Sequence, residues 1–531
     1  MVITSLEFLV FIAIALLLYK IMPGHKKWTV LLIASYLFYF LNSTYLTAFL
    51  IITTLSIYFV ALSLSKINEE TKSALKNIED KEQKKILKKK SKSKQKLILA
   101  LGIILNIAIL TILKYSGVIG ENINSLFSIL KIPVQMPIAK FILPLGISYY
   151  TLQAISYMVD VYRGKIQADK NIGRVALFLS FFPQMVEGPI GRYDKLANQL
   201  YEPHSITYNQ LTNGGILMLW GYFKKMVIAD RIGMYANQVF GNYSEYSGII
   251  IILGIISYTI QIYAEFSGGI DIVRGVSEIF GIQLDENFER PFFSKSIDEF
   301  WRRWNITLGT WLKDYVFYPV SLSKLSMKIT DISKKIFKTS YLSKIIPVAF
   351  SLLCVWLCNG IWHGSGVKYI IYGLYYYSIM MLGKILEPFG NKLINIFKIN
   401  TKVWSYRFWQ VLKTSGFVCI GMTIFRAENL SVAIKMVKSI FHQRNLEMIF
   451  NGEAFLLGVL KKGDIAILII SMVILLIVSL SQEKKQSVRK WLREQNLIFR
   501  WIVYYGLIFS IIIFGIYGQG YNVQSFIYGQ F

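Results

Sequence analysis

The chain has 531 residues, of which 54% are hydrophobic, 15% aromatic and only 17% charged, and its mean hydropathy is +0.46. So little polar sequence could not cover a soluble protein of this length, and apolar runs of spanning length recur from end to end, so the composition predicts an all-α polytopic membrane protein. The net charge of +27 comes from 58 Lys and Arg against 31 Asp and Glu; these basic residues fall between apolar runs, as in cytoplasmic loops, with no aromatic-interleaved groove, which excludes nucleic acid as a partner.

In chain order, residues 3–22 form an apolar run without a basic start or a small-residue cleavage site, hence a retained first span rather than a signal peptide. Lys20, His25, Lys26 and Lys27 then place the first turn in the cytoplasm and the N-terminus outside. Residues 28–41 and 45–64 make the next pair, closing an N-terminal membrane segment, 1–65. Residues 66–96 carry twelve lysines and no arginine. They read as a basic cytoplasmic loop, amphipathic or partly disordered, serving as a topology anchor near anionic lipid.

Residues 97–480 read as the central membrane body, with spans at 97–113, 141–162, 211–229, 248–265, 345–363, 367–386, 411–425 and 464–480. Within it, VALFLSFFPQMVEGPIGRYDKL (175–196) is broken by Pro183, Gly188, Pro189 and Gly191. Backbone groups freed there cannot face lipid, so this piece is re-entrant and covered by protein, or lines a wet cavity. Glu187 lies inside it. In AEFSGGIDIVRGVSEIFGI (264–282), Glu265, Asp271, Arg274 and Glu278 interrupt apolar sequence, and Asp271 and Arg274 are spaced to pair on one helical face. Residues 481–531 hold a basic cytoplasmic lead-in, a last span at 499–516 and an extracytoplasmic tail.

The polar groups that most need a reason lie in 296–366, between SIDEFWRRWNITLGTWLKDYVFYP and LCNGIWHGSG. A lysine-dotted cytoplasmic connector separates the two. WRRWN reads as part of an amphipathic or re-entrant helix. Of the four histidines, His25, His204, His363 and His442, only His363 ends a strongly apolar run. It stands about 27 Å of helical rise from Ile345, deep in the bilayer or near its far side. Gly360, Gly364 and Gly366 would let backbone or a substrate approach the imidazole. An ionisable group so placed is a functional candidate by default. Three readings stand open: general base of a membrane enzyme, proton relay or cargo contact in a transporter, or a hydrogen-bonded structural residue. Cys354, Cys358 and Cys419 offer no disulfide framework. A metal site built from Cys354, Cys358 and His363 lacks a fourth ligand, and small buried apolar cysteines are the better reading. No GxxxxGK[ST], HExxH or CxxC motif occurs, and no internal repeat is visible.

FFPQMVEGPIGRY, EFSGGIDIVRGVSEIFGI, NFERPFFSKSIDEFWRRWNITLGTWLKDYVFYP, GIWHG and IFRAENLSVAIKMV follow one another in this order. With them, nearly the whole chain resembles the membrane-bound O-acyltransferases, in the bacterial alginate O-acetylase-like branch related to teichoic acid D-alanyl transfer. The resemblance implies a helical body with re-entrant helices and a funnel on each face meeting at a thin centre. It implies a plasma-membrane enzyme whose donor docks from the cytoplasm and whose acyl group leaves to an acceptor outside. His363 maps onto the invariant histidine and would accept the proton of an attacking hydroxyl. Asn305 maps onto the second family position, where asparagine can hydrogen-bond the thioester carbonyl or growing oxyanion but cannot transfer a proton. Trp301, Arg302, Arg303, Trp304 and Trp362 flank this pair as substrate-binding candidates. The two arginines would hold phosphates of coenzyme A or of a carrier phosphopantetheine, or else snorkel to headgroups.

The same resemblance implies acetyl-CoA or another acyl thioester as donor, with no tightly bound cofactor and no metal. Its partners would be an acyl-CoA or acyl-carrier donor on the cytoplasmic face, a secreted acyltransferase- or esterase-like protein, a cell-surface glycan and the lipid bilayer. D-alanyl transfer to teichoic acid is the alternative within the family; a polysaccharide or proton-coupled transporter is the alternative outside it. The ending SFIYGQF resembles the aromatic-tyrosine-aromatic tail of such systems, in which Tyr528 would accept the acyl group and pass it to the secreted partner. Gly529 stands where an aromatic is more usual, and the plainer role for Tyr528 is an interfacial anchor. Glu187 and Glu265 also depart from the family pattern.

Overall fold

The computed structural model describes residues 1–132, 134–135, 143–338, 340–442 and 446–517. Among them no strand forms, and seven helical stretches are long and apolar enough to cross a membrane, so the protein is an all-α polytopic membrane protein. The chain divides into two compact units, passing from one to the other inside its ninth and eleventh helices and again between residues 285 and 286.

The first unit comprises residues 1–214 and 273–285. It contains α1 (Leu6–Ile21), α2 (Lys27–Ser43), α3 (Thr47–Lys76), α4 (Lys81–Ile129), α5 (Ile147–Tyr162), α6 (Ile172–Ser180), α7 (Phe182–Glu187), α8 (Tyr193–Tyr201) and the start of α9 (Tyr208–Tyr222). Helices α3, α4 and α5 pack on one another, while α2 packs on α6 and α7. The lysine-rich stretch is not a loop: α3 runs on to Lys76 and α4 begins at Lys81. Lysine is a good helix former, so an apolar helix on either side propagates through it. Asp80 caps the return, its carboxylate accepting from the Glu82 and Gln83 amides at 3.0 and 3.3 Å.

The broken stretch folds as α6, a kink at Phe181, α7 and a Gly-Pro turn. Gly146 opens α5 at φ +67, a backbone that glycine adopts without strain. It lies against the Met185 carbonyl, and a β-carbon at Gly188 would overlap Gln184. The Gln184 side chain donates to the Pro189 carbonyl, satisfying one group the turn sets free. Glu187 ends α7 with 1% of its surface exposed, within electrostatic reach of Tyr149 on α5.

The second unit comprises residues 215–272 and 286–531. It takes α9 through a π-helical turn (Phe223–Ala229) into α10 (Asp230–Gly241), then most of α11 (Ile249–Ile279), α12 (Ile297–Arg303) and α13 (Ile306–Leu312). There follow α14 (Tyr318–Ser321), α15 (Lys324–Phe337), α16 (Tyr341–His363), α17 (Val367–Ile396), α18 (Trp404–Arg426), α19 (Leu430–Ser439), α20 (Leu446–Phe450), α21 (Glu453–Leu456), α22 (Lys462–Glu483), α23 (Val488–Glu494) and α24 (Leu497–Phe514). Helices α16 and α17 form a close hairpin. Two glycines permit it: a β-carbon at Gly360 would run into the Tyr369 carbonyl, and one at Gly373 into the Trp356 carbonyl. Gly364 rests on the Tyr369 ring. These glycines therefore admit the neighbouring helix, where substrate access was the expectation. The cysteines also differ from expectation, for Cys358 is exposed and Cys354 and Cys419 are half-buried.

The π turn places two cations in the interior. Lys224 binds Asp271 at 2.7 Å and the Ser267 hydroxyl at 2.9 Å, while Lys225 binds Asp230 at 2.8 Å and Glu265 at 3.0 Å. One turn on, Arg231 donates to Asp464 at 3.0 Å and to the Phe514 carbonyl at 2.7 Å. A π turn frees a backbone carbonyl from the regular ladder, and here Met226 offers its carbonyl to the Ile516 amide at 3.0 Å. Buried charges persist only when paired and hydrogen-bonded. The apolar span expected at 211–229 thus carries two lysines answered by carboxylates of α11.

Candidate active site

Helix α12 starts on a reciprocal cap. The Ser296 hydroxyl accepts from the Glu299 amide at 3.1 Å, and the Glu299 carboxylate accepts from the Lys295 amide at 2.9 Å. The helix stops after two turns because Trp304 leaves it in extended backbone and bridges to Phe288. The Glu289 amide donates to the Arg303 carbonyl at 2.9 Å, and the Ile306 amide to the Asn287 carbonyl at 3.1 Å. Trp304 is buried, stacked 5.4 Å from Phe300 and edge-on to Phe288 at 5.0 Å. These contacts fix the exit of the chain.

Asn305 comes next, at φ +45 and ψ 54, left-handed backbone that asparagine tolerates better than most side chains. It is 4% exposed, and its Oδ1 accepts from the Asn287 amide nitrogen at 3.1 Å. Its own amide nitrogen is bonded to nothing among the described residues. Asn287 in turn accepts through Oδ1 from the Thr307 amide at 2.9 Å and the Thr307 hydroxyl at 2.8 Å.

His363 is the last residue of α16 and is 3% exposed. Its ring stands 4.9 Å from Trp362, 5.2 Å from Phe425 on α18 and 5.7 Å from Tyr372 on α17, all three edge to face. Trp301 on α12 reaches the same cluster, 6.4 Å from Tyr372, 4.8 Å from Tyr376 and 5.0 Å from Trp356. One aromatic core therefore holds Trp301, Trp304 and Trp362, with the His363 ring set against its Tyr372 and Phe425 and the Asn305 turn following directly on Trp304 in sequence. The indole N–H groups of Trp301 and Trp356 are buried there without a hydrogen-bond partner among the described residues. Buried donors left open among aromatic rings suit a ligand that brings its own oxygen.

The two arginines part company. Arg303 is held by Glu299 at 2.8 Å and by Glu483, at the end of α22, at 2.9 Å; Arg290 shares Glu483 at 2.8 Å. Partial burial works against its charge, but the hydrogen bonds and charge of Glu483, then Glu299, outweigh it and hold the guanidinium above its usual pKa. Arg302 is exposed and makes no ion pair among the described residues. Tyr528 lies outside the described residues. Sequence reasoning overlooked Asn287, Trp356, Tyr372, Phe425 and Glu483. Asn287 and Phe425 sit inside motifs already singled out, whereas Tyr372 is hidden among the tyrosines of YGLYYYS.

The family model of the membrane-bound O-acyltransferases matches residues 31–330. The chain is 31% identical over 442 residues to a probable alginate O-acetylase of Pseudomonas syringae pv. tomato, covering 83% of this chain and 75% of the relative. It is 29% identical over 472 residues to the peptidoglycan O-acetyltransferase of Helicobacter pylori, covering 82% and 78%. To the teichoic acid D-alanyltransferase of Bacillus subtilis it is 29% identical over 293 residues, covering 53% and 68%.

Proposed function

The chain belongs to the membrane-bound O-acyltransferase family, and on that premise we propose that this membrane acyltransferase acetylates a cell-surface polysaccharide with a cytoplasmic thioester, acetyl-CoA, as donor. The relatives that share most of its length are named for O-acetylation, while the D-alanyltransferase shares a shorter stretch. The observation that carries the reading is a buried histidine ringed by Trp362, Tyr372 and Phe425, together with a buried asparagine next to Trp304 whose amide nitrogen has no partner among the described residues.

His363 accepts the proton of the attacking hydroxyl as its oxygen bonds to the thioester carbon. The Asn305 amide donates to the oxyanion of the tetrahedral intermediate. Collapse breaks the carbon–sulfur bond, and the proton held by His363 goes to the leaving thiolate. Trp301, Trp304 and Trp362 wall the chamber, and Arg302 holds donor phosphate. The acceptor hydroxyl is that of Tyr528, whose acyl ester a secreted acyltransferase- or esterase-like partner empties onto the glycan. A phenol with a pKa of about 10 leaves more readily than a sugar hydroxyl. What supports this relay is the sequence SFIYGQF and its proposed position outside the cell membrane, after a basic lead-in.

The test measures ester-linked acetate on surface glycan in cells carrying wild-type protein, His363→Ala or Tyr528→Phe, with labelled acetyl-CoA supplied to purified protein. Acetate should vanish in both variants at unchanged protein level. Wild-type acetate in His363→Ala overturns its role as base. Full acetylation in Tyr528→Phe removes the relay, and transfer of labelled D-alanine in place of acetate removes the donor assignment.

A further inference from the structure

A helix whose N-cap residue is asparagine normally uses that side chain to accept a backbone amide of the first turn. Asn305 occupies the N-cap position of α13, yet its side chain caps nothing. The two leading amides of α13 are taken instead by a residue from another part of the chain. The Ile306 amide donates to the Asn287 carbonyl at 3.1 Å, and the Thr307 amide to Asn287 Oδ1 at 2.9 Å. Capping has been transferred from residue 305 to residue 287, which leaves the Asn305 side chain available for other work.

The same contacts settle which way both amides face. A backbone N–H can only donate, so the atom of Asn287 that meets the Thr307 amide is the oxygen. Its NH2 group must then be the end that meets Asn305. A donor there requires an acceptor, so Asn305 presents Oδ1 to Asn287. The NH2 of Asn305 is thereby turned to the other side, carrying protons and bonded to nothing among the described residues. Asn287 is 1% exposed, so no bulk water competes for these bonds, and reversing either amide would set donor against donor or acceptor against acceptor.

We infer that Asn287 is the positioning residue of the acyl-transfer site: it caps α13 in place of Asn305 and fixes the Asn305 amide with its NH2 free to donate to the oxyanion. The inference rests on the reading of Asn305 as oxyanion donor and goes beyond it in saying what orients that donor. No proton is transferred by Asn287, and it does not touch substrate.

Asn287→Asp separates orientation from shape. Aspartate is nearly isosteric and still accepts from Thr307, but it offers Asn305 an oxygen. Asn305 must then turn its NH2 toward Asp at 287, and the donor is occupied. Purified full-length protein with acetyl-CoA and acceptor would be compared as wild type, Asn287→Asp, Asn305→Ala and the double variant. The expected result is that Asn287→Asp lowers kcat about as much as Asn305→Ala, roughly 10²–10³-fold for an oxyanion donor. KM should be unchanged, and Asn287→Asp should add nothing in the Asn305→Ala background. A full further loss in that background, or a rise in KM with kcat intact, would mean a merely structural role and overturn the inference. So would wild-type kcat in Asn287→Asp alongside an impaired Asn305→Ala. An unimpaired Asn305→Ala would instead sink the reading of Asn305 itself. Should Asn287→Asp not fold, Asn287→Ala decides: it frees the Asn305 amide to rotate, so reduced kcat at constant KM supports the inference and unchanged kcat overturns it.

Discussion

His363 and Asn305 sit in different surroundings. The imidazole is wedged among Trp362, Tyr372 and Phe425, rings that fix its plane by shape. The Asn305 amide is held by directed bonds that run from the Thr307 amide through Asn287. Ring contacts of this kind favour substitutions that fill the same space. A bond-held group tolerates only those that preserve which atoms donate. In the proposed mechanism the base needs a fixed place from which to exchange a proton, whereas the oxyanion donor needs a fixed direction.

The hardest test of the contrast is His363→Phe, which keeps a ring in the box and removes the base. Acyl transfer should fall below detection while yield and melting temperature in detergent stay near wild type. An unfolded product would show that the box is selective for imidazole and erase the contrast. Next in size, Asn305→Ala should slow single-turnover acyl transfer by roughly 10²–10³, leaving measurable activity above that of His363→Phe. Equal and complete loss in both would mean that Asn305 does more than donate to the oxyanion. Gly360→Ala attacks the box from outside by forcing a β-carbon into the Tyr369 carbonyl of α17. Overpacking of this kind costs about 1–3 kcal/mol, to be read as a lower melting temperature, because α17 carries Tyr372. The smallest effect belongs to Phe425→Leu, which keeps apolar volume and loses one edge-to-face partner of the imidazole. About 0.5–1.5 kcal/mol of aromatic pairing is at stake, so thermal stability and kcat should both fall modestly. A loss comparable to that of Asn305→Ala would place Phe425 in direct contact with substrate.

Apolar periodicity and helix-forming composition made most of the helical order legible, and the family motifs pointed to His363 and Asn305. What stayed hidden depends on pairing across long stretches of chain. Lys224 and Lys225 in an apolar run look like a local blemish until Asp271 and Glu265 are known to face them. Gly360 near a histidine looks like room for substrate until the Tyr369 carbonyl is seen to occupy that room. Asn287 carries no signal of its own in NFERPF, since its role exists only once residues 287 and 305 lie side by side. Arg303 likewise looked free for phosphate because Glu483 is 180 residues away.

The two buried lysines also set a timetable for making the protein. Lys224 and Lys225 leave the ribosome 47 and 40 residues ahead of Asp271 and Glu265, their partners on α11. At about 5–20 residues per second, that is a lag of roughly 2–9 s. A lone lysine at the centre of a spanning helix costs about 2.5–3.5 kcal/mol to insert, and here two stand side by side. The charge of Lys224 is therefore answered only once α11 has been made, whereas Lys225 meets Asp230 within the next turn and Glu265 later, so the order of synthesis bears on how this buried charge cluster is completed.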